Sequence, residues 1–165
     1  MNIHVKISQH IFDQVNKDLS RPHRYAHERI GFLFFKHGTT MDNCHLLLSS
    51  YYLSIPDEQY INDPTVGAKI NSAAIRSVMQ RILDTQEGTF HVHMHGFPYF
   101  QQFSTIDRDS LIRLIPSFKN VGQQSIHGAL LFTKNIINGI AWLPAYPDPV
   151  KISKITIVGS PLVIY

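Results

Sequence analysis

Apolar residues recur along this chain with two different periods, and the switches between them divide it into elements. Ile7, Ile11, Phe12, Val15 and Leu19 stand three and four apart, which predicts an amphipathic helix over residues 8–20, closed by Arg21 and Pro22. Residues 29–36 then contain the apolar run IGFLFF, a strand with Glu28 at its entrance. Gly38, Thr39, Thr40, Asp42 and Asn43 read as a turn into a second strand over 44–55, so these two strands form a hairpin. From Ala68 to Leu83 the positions Ile70, Ala74, Ile75, Val78, Met79 and Ile82 return to the helical period, and Gln86–Gly88 ends that helix. The next strand, FHVHMHG, alternates strictly: His91, His93 and His95 fall on one side and Val92 and Met94 on the other.

Beyond it, the aromatic segment FPYFQQF reads as a loop, after which Ser104 caps a third helix with Asp107 at its N3 position. Leu111, Ile112, Leu114, Ile115 and Phe118 supply the buried stripe, and Pro116 is expected to kink or end the helix. Residues 128–133 and 136–143 form a second hairpin. A proline-rich connection over 144–149 leads to strands over 151–158 and 162–165. Strands and helices alternate irregularly, with hairpins toward both ends. The pattern predicts an α+β fold, α/β/α-like, with a curved mixed β-sheet flanked by helices and a single domain over residues 1–165.

Composition narrows the function classes. An apolar fraction of 44% and a charged fraction of 16% suit a folded chain with a substantial core. The formal charge of +3 is scattered, without the basic stripe of a phosphate-reading surface, so no nucleic acid partner is expected. No apolar run is long enough for a membrane span, and the N-terminus has no signal-peptide core, which leads to a cytoplasmic expectation with no membrane association. Cys44 is the one cysteine, so a metal would have to be held by histidine and carboxylate.

Ten histidines make any single one uninformative, and His4, His10, His23, His27, His37 and His45 have no matching ligand pattern. The histidine strand differs because two imidazoles on one strand face can reach one ion, and zinc accepts imidazole nitrogen with carboxylate oxygen. Asp107, in the first turn of a helix after a loop that can fold back over the strand end, is a candidate carboxylate, and its other reading is as the N3 residue of the helix cap alone.

His93-Met94-His95, then Ser104-Thr105-Ile106-Asp107, with Glu28 upstream beside Gly31, resembles the signature of the JAB/MPN (JAMM) zinc metalloprotease family. The order of predicted elements is similar to that family over nearly the whole chain. Gly96 stands where the family often has proline, and eight residues separate His95 from Ser104, one more than usual. His91 creates a competing pair, His91/His93, but His93/His95 keeps the interval to Asp107 nearer the family spacing.

The resemblance implies an MPN/JAB-type domain of cytidine-deaminase-like topology. It implies one Zn2+ per chain on His93, His95 and Asp107, with Glu28 as general base and Ser104 as donor to the oxyanion. The implied reaction is isopeptidase or peptidase hydrolysis of the amide bond after the C-terminus of a ubiquitin-like protein, in deconjugation or precursor processing. Partners implied with it are that ubiquitin-like protein or its conjugates, and E1-like and E2-like proteins of the same pathway. Phe97, Tyr99, Phe103 and His127 are candidates to line the substrate groove. Two alternatives stand beside this reading: a catalytically silent MPN-like interaction module, and a metallopeptidase acting on small peptides or amides.

Overall fold

The computed structural model describes residues 2–23, 26–95, 102–134, 136–159 and 163–165. The fold is mixed α+β. Its strands are β1 (Ile3–Ser8), β2 (Ile30–Thr39), β3 (His45–Ser54), β4 (Gly88–Met94), β5 (His127–Phe132), β6 (Ile137–Trp142), β7 (Val150–Lys151), β8 (Lys154–Val158) and β9 (Val163–Ile164). Its helices are α1 (Gln9–Leu19), α2 (Ser72–Thr85) and α3 (Thr105–Val121). The strands join one mixed sheet in the order β7-β6-β5-β4-β2-β3-β1-β8-β9. β1 runs parallel to both β3 and β8, and β4 parallel to β5, while the other neighbours are antiparallel.

Side-chain alternation divides the core between the two faces of this sheet. Leu33, Phe35, Phe90, Val92, Leu130 and Phe132 pack with Ile11, Val15 and Leu19 of α1. Ile30, Phe32, Phe34, Ala129 and Leu131 pack on the opposite face with Ala74, Val78 and Ile82 of α2 and Leu111, Ile115 and Phe118 of α3. The two histidines of β4 belong to this second face, since His91 pairs in register with Phe32 and His93 with Ile30.

Several sequence expectations shift. β1 was not foreseen: Ile7, assigned to the helical stripe, is the end of a strand, and α1 begins only after Ser8 caps Ile11 N–H. α2 starts at Ser72 rather than Ala68, because the Asn71 side chain accepts from Ala73 and Ala74 N–H. Residues before it are tied to the preceding loop through Ile61 N–H to Lys69 O and a bridge between Tyr60 and Ile70. β2 runs on to Thr39 through the expected turn. Pro116 neither ends nor breaks α3, which continues to Val121. It sits on the exposed side, where the Ile112 carbonyl it frees can meet water, while Ile115 and Phe118 hold the buried side. The strand expected over 151–158 divides into β7 and β8.

Candidate metal centre

The antiparallel register of β2 and β4 explains how a glutamate far upstream reaches the histidines. Ile30 lies opposite His93, so stepping back two residues on β2 and forward two on β4 brings residue 28 opposite residue 95. His95 is tied at the strand end by its N–H to Phe132 O. Glu28 is fixed by its own N–H to Gly67 O at 3.1 Å, beside His27 N–H to the same carbonyl at 2.8 Å. Asp107 arrives from above through α3, whose capping box is complete. Ser104 Oγ accepts from Asp107 N–H, while Ser104 N–H and Oγ–H both donate to Asp107 Oδ2 at 2.7 Å.

Four side chains converge as a result. His93 Nε2 and His95 Nε2 are 3.3 Å apart. Asp107 Oδ1 is 3.4 Å from His93 Nε2, and Asp107 Oδ2 is 3.6 Å from His95 Nε2. Glu28 Oε1 lies 3.8 Å from His95 Nε2. Four-coordinate zinc with bonds of about 2.0–2.1 Å sets neighbouring ligand atoms about 3.3–3.4 Å apart, which is the scale of the His93–His95 spacing and of the approach of one Asp107 oxygen to each histidine. Glu28, His93 and His95 also offer ligand atoms all within 4.8 Å of one another, so by distance Glu28 is itself placed to act as a metal ligand with the two histidines. The donor set of two imidazoles and a carboxylate fits zinc chemistry, and the geometry fits its size.

The two carboxylates are shifted in opposite directions. Burial alone would raise Asp107, but the His93 ring and the Ser104 hydroxyl and N–H pull it well below the ordinary carboxylate range. Burial raises Glu28 above its ordinary value, against the pull of His93 and His95. Such a divergence separates a carboxylate held as an anion from one suited to carry a proton. Both line a cleft of about 270 Å³, together with His91, His93, Val66, Gly67, Ile106 and Leu111. Gly67 was not legible as a site residue. A Cβ there would come within 2.9 Å of Glu28 Oε2, so glycine lets the loop lie against the carboxylate where it stands, and a side chain at this position would displace it.

Of the groove residues expected from sequence, Phe97 and Tyr99 lie outside the described residues. Phe103 is buried in the core, with its ring 6.0 Å from that of His93, and forms a wall behind the ligand rather than an open groove. His127 is corrected: it is fully buried, its Nδ1 accepts from Thr89 N–H and its Nε2 donates to Gly122 O. It sits by the start of β4, opposite the end that carries the site. Away from the site, His4 meets Thr156 Oγ1 at 2.7 Å, and His37 faces His45 at 3.0 Å across the β2–β3 hairpin.

Among the described residues no helix is long and apolar enough to cross a membrane. No family model and no curated protein matches the chain. Among solved structures, the N-terminal domain of STIL from Trichoplax adhaerens is similar at a TM-score of 0.32 and 12% identity. That match covers 81% of this chain and 37% of the other, and a likeness this low bears on neither fold family nor function.

Proposed function

We propose that this chain is a JAB/MPN-type zinc peptidase that hydrolyses the amide bond after the C-terminus of a ubiquitin-like protein. The observation that carries the proposal is the convergence of His93 Nε2, His95 Nε2 and the Asp107 carboxylate at 3.3–3.6 Å, with Glu28 alongside. Zinc held there supplies Lewis acidity toward the scissile carbonyl and activates water near neutral pH.

The protein's own groups do the rest. Glu28, raised by burial and backed by the 61–70 loop, takes the proton of the attacking water and returns it to the leaving amine as the C–N bond breaks. Asp107, held well below the ordinary carboxylate range by the His93 ring and by its cap, keeps its place as Glu28 changes charge. Ser104 is first a positioning residue, because its hydroxyl proton is directed at Asp107 Oδ2. Being exposed at the rim, it is also the group assigned to the developing oxyanion once that proton turns outward. The sheet order supports this reading only in setting the histidine strand β4 beside β2, which Glu28 precedes.

The test is cleavage of a panel of ubiquitin-like proteins, each fused through its C-terminus to a reporter peptide, by zinc-loaded full chain. Hydrolysis is expected to vanish with chelator and to fall roughly 100-fold or more in Glu28→Gln protein that keeps its metal. Cleavage that survives either treatment contradicts the reading.

A further inference from the structure

His91, on β4, belongs to no part of the mechanism above, yet it lies in the same cleft. His91 lines the cavity with His93, and the two rings stand 5.3 Å apart at 50°. Its ring edge packs on Phe32 at 5.7 Å. Two buried nitrogens here make no hydrogen bond among the described residues: His93 Nδ1 and His91 Nδ1. The hydroxyl of Thr89, two residues further back on the same strand face, is a third such group.

These orphans are complementary. His93 aims Nε2 at His95 and Asp107, so with a cation bound through Nε2 its proton must sit on Nδ1. A metal-bound imidazole needs an acceptor for that N–H, which fixes the ring and strengthens the ligand. A neutral imidazole carrying its proton on Nε2 presents Nδ1 as an acceptor, and His91 Nδ1 is the buried nitrogen on the neighbouring ring. The two ring centroids are 5.3 Å apart, and a buried water commonly joins polar groups that lack protein partners.

We propose that His91 is a positioning residue for the metal centre, receiving the His93 Nδ1–H through one buried water. This rests on the zinc reading of the site and extends it to the second layer of groups. It gives a role to a histidine that the ligand triangle leaves over.

The experiment measures zinc affinity of the full chain by competition with a chelating dye, and the Co2+ absorption spectrum of the same proteins. His91→Phe keeps a ring against Phe32 and removes both nitrogens; it is expected to weaken zinc binding roughly 10- to 100-fold. His91→Asn places its side-chain oxygen near the position of Nδ1 and should restore affinity to within a few-fold and the Co2+ spectrum to that of wild type. His91→Gln reaches the Nε2 position instead and should remain weak. Zinc affinity in His91→Phe within two-fold of wild type, or equal weakening in the Asn and Gln variants, overturns the role of His91; the Asn/Gln comparison decides even if the Phe variant does not fold. Wild-type protein that binds no zinc overturns the metal reading itself, which is a separate result.

Discussion

Gly67 lies directly against the Glu28 carboxylate: a Cβ at residue 67 would meet Oε2 at 2.9 Å and Cδ at 3.0 Å. The atoms it would strike form the free end of a flexible side chain, so the fold can accommodate alanine while the carboxylate moves. Gly67→Ala should therefore leave thermal stability nearly unchanged and lower hydrolysis about 100-fold, since a displacement of about 1 Å at a reacting group has that scale. Melting temperature and steady-state rate on one preparation check this. A fall in stability matching the fall in rate would show that the glycine serves the loop alone.

Ser104 and Asp107 hold each other, and the cap and the site can be separated by measuring both. Ser104→Ala should cost about 1 kcal/mol of stability as a lost N-cap. It should also weaken zinc binding, because Asp107 Oδ2 loses the hydroxyl that fixes it. Ser104→Thr retains the hydroxyl and should restore both. Denaturant midpoints and zinc competition on the two variants give the answer.

His127 makes stability depend on pH. Its Nδ1 accepts from Thr89 N–H, so a proton cannot be added there without breaking that bond, and burial pushes its pKa down from 6.5 to about 4. The unfolded chain therefore takes up the proton first as pH falls. Stability should drop between pH 6.5 and about 4, by at most ~3 kcal/mol from this residue, and this share should level off below. His91, held down to about 3 chiefly by burial, adds to the same trend in the metal-free protein. His127→Gln should be less stable at neutral pH yet lose less on acidification, as read from urea midpoints across the window.

Gly31, which accompanies Glu28 in the sequence signature, has a packing reason of its own. A Cβ there would lie 2.2 Å from the Tyr52 hydroxyl oxygen, and that hydroxyl donates to buried Asp18 at 2.6 Å. Gly31→Ala should destabilise the fold by roughly 1–3 kcal/mol through overpacking. Tyr52→Phe should cost about 1–3 kcal/mol by leaving a buried carboxylate oxygen without its partner. Chemical denaturation of the two variants tests both values.

What could be read from the amino acids follows the range of the forces involved. The α3 cap, the alternation of β4 and the α1 and β2 segments are set by neighbours a few residues away, and all four stand in the structure. β1 escaped because its partners, β3 and β8, are distant in sequence and its IHVKIS stretch shares Ile7 with the helical period. The start of α2 escaped because Ile70, at the right spacing for the helix, pairs with Tyr60 instead. In the site, the alternation of the histidine strand and the helix cap marked His93, His95 and Asp107 as candidates, and the family resemblance joined them into one ligand set. Gly67 was not legible, because only the folded loop brings it to Glu28. His127 stood between a groove residue and one that satisfies a buried carbonyl, because sequence shows a histidine before a strand but not which end of β4 it faces; the structure gives it the second role.

The account rests on a metal held by His93, His95 and Asp107, and zinc content per chain tests that most directly. Full chain loaded with zinc, desalted and analysed by element should hold about one zinc per molecule, and His93→Ala/His95→Ala protein treated alike should hold none. Wild-type protein without zinc, or a double variant that retains it, would contradict the account.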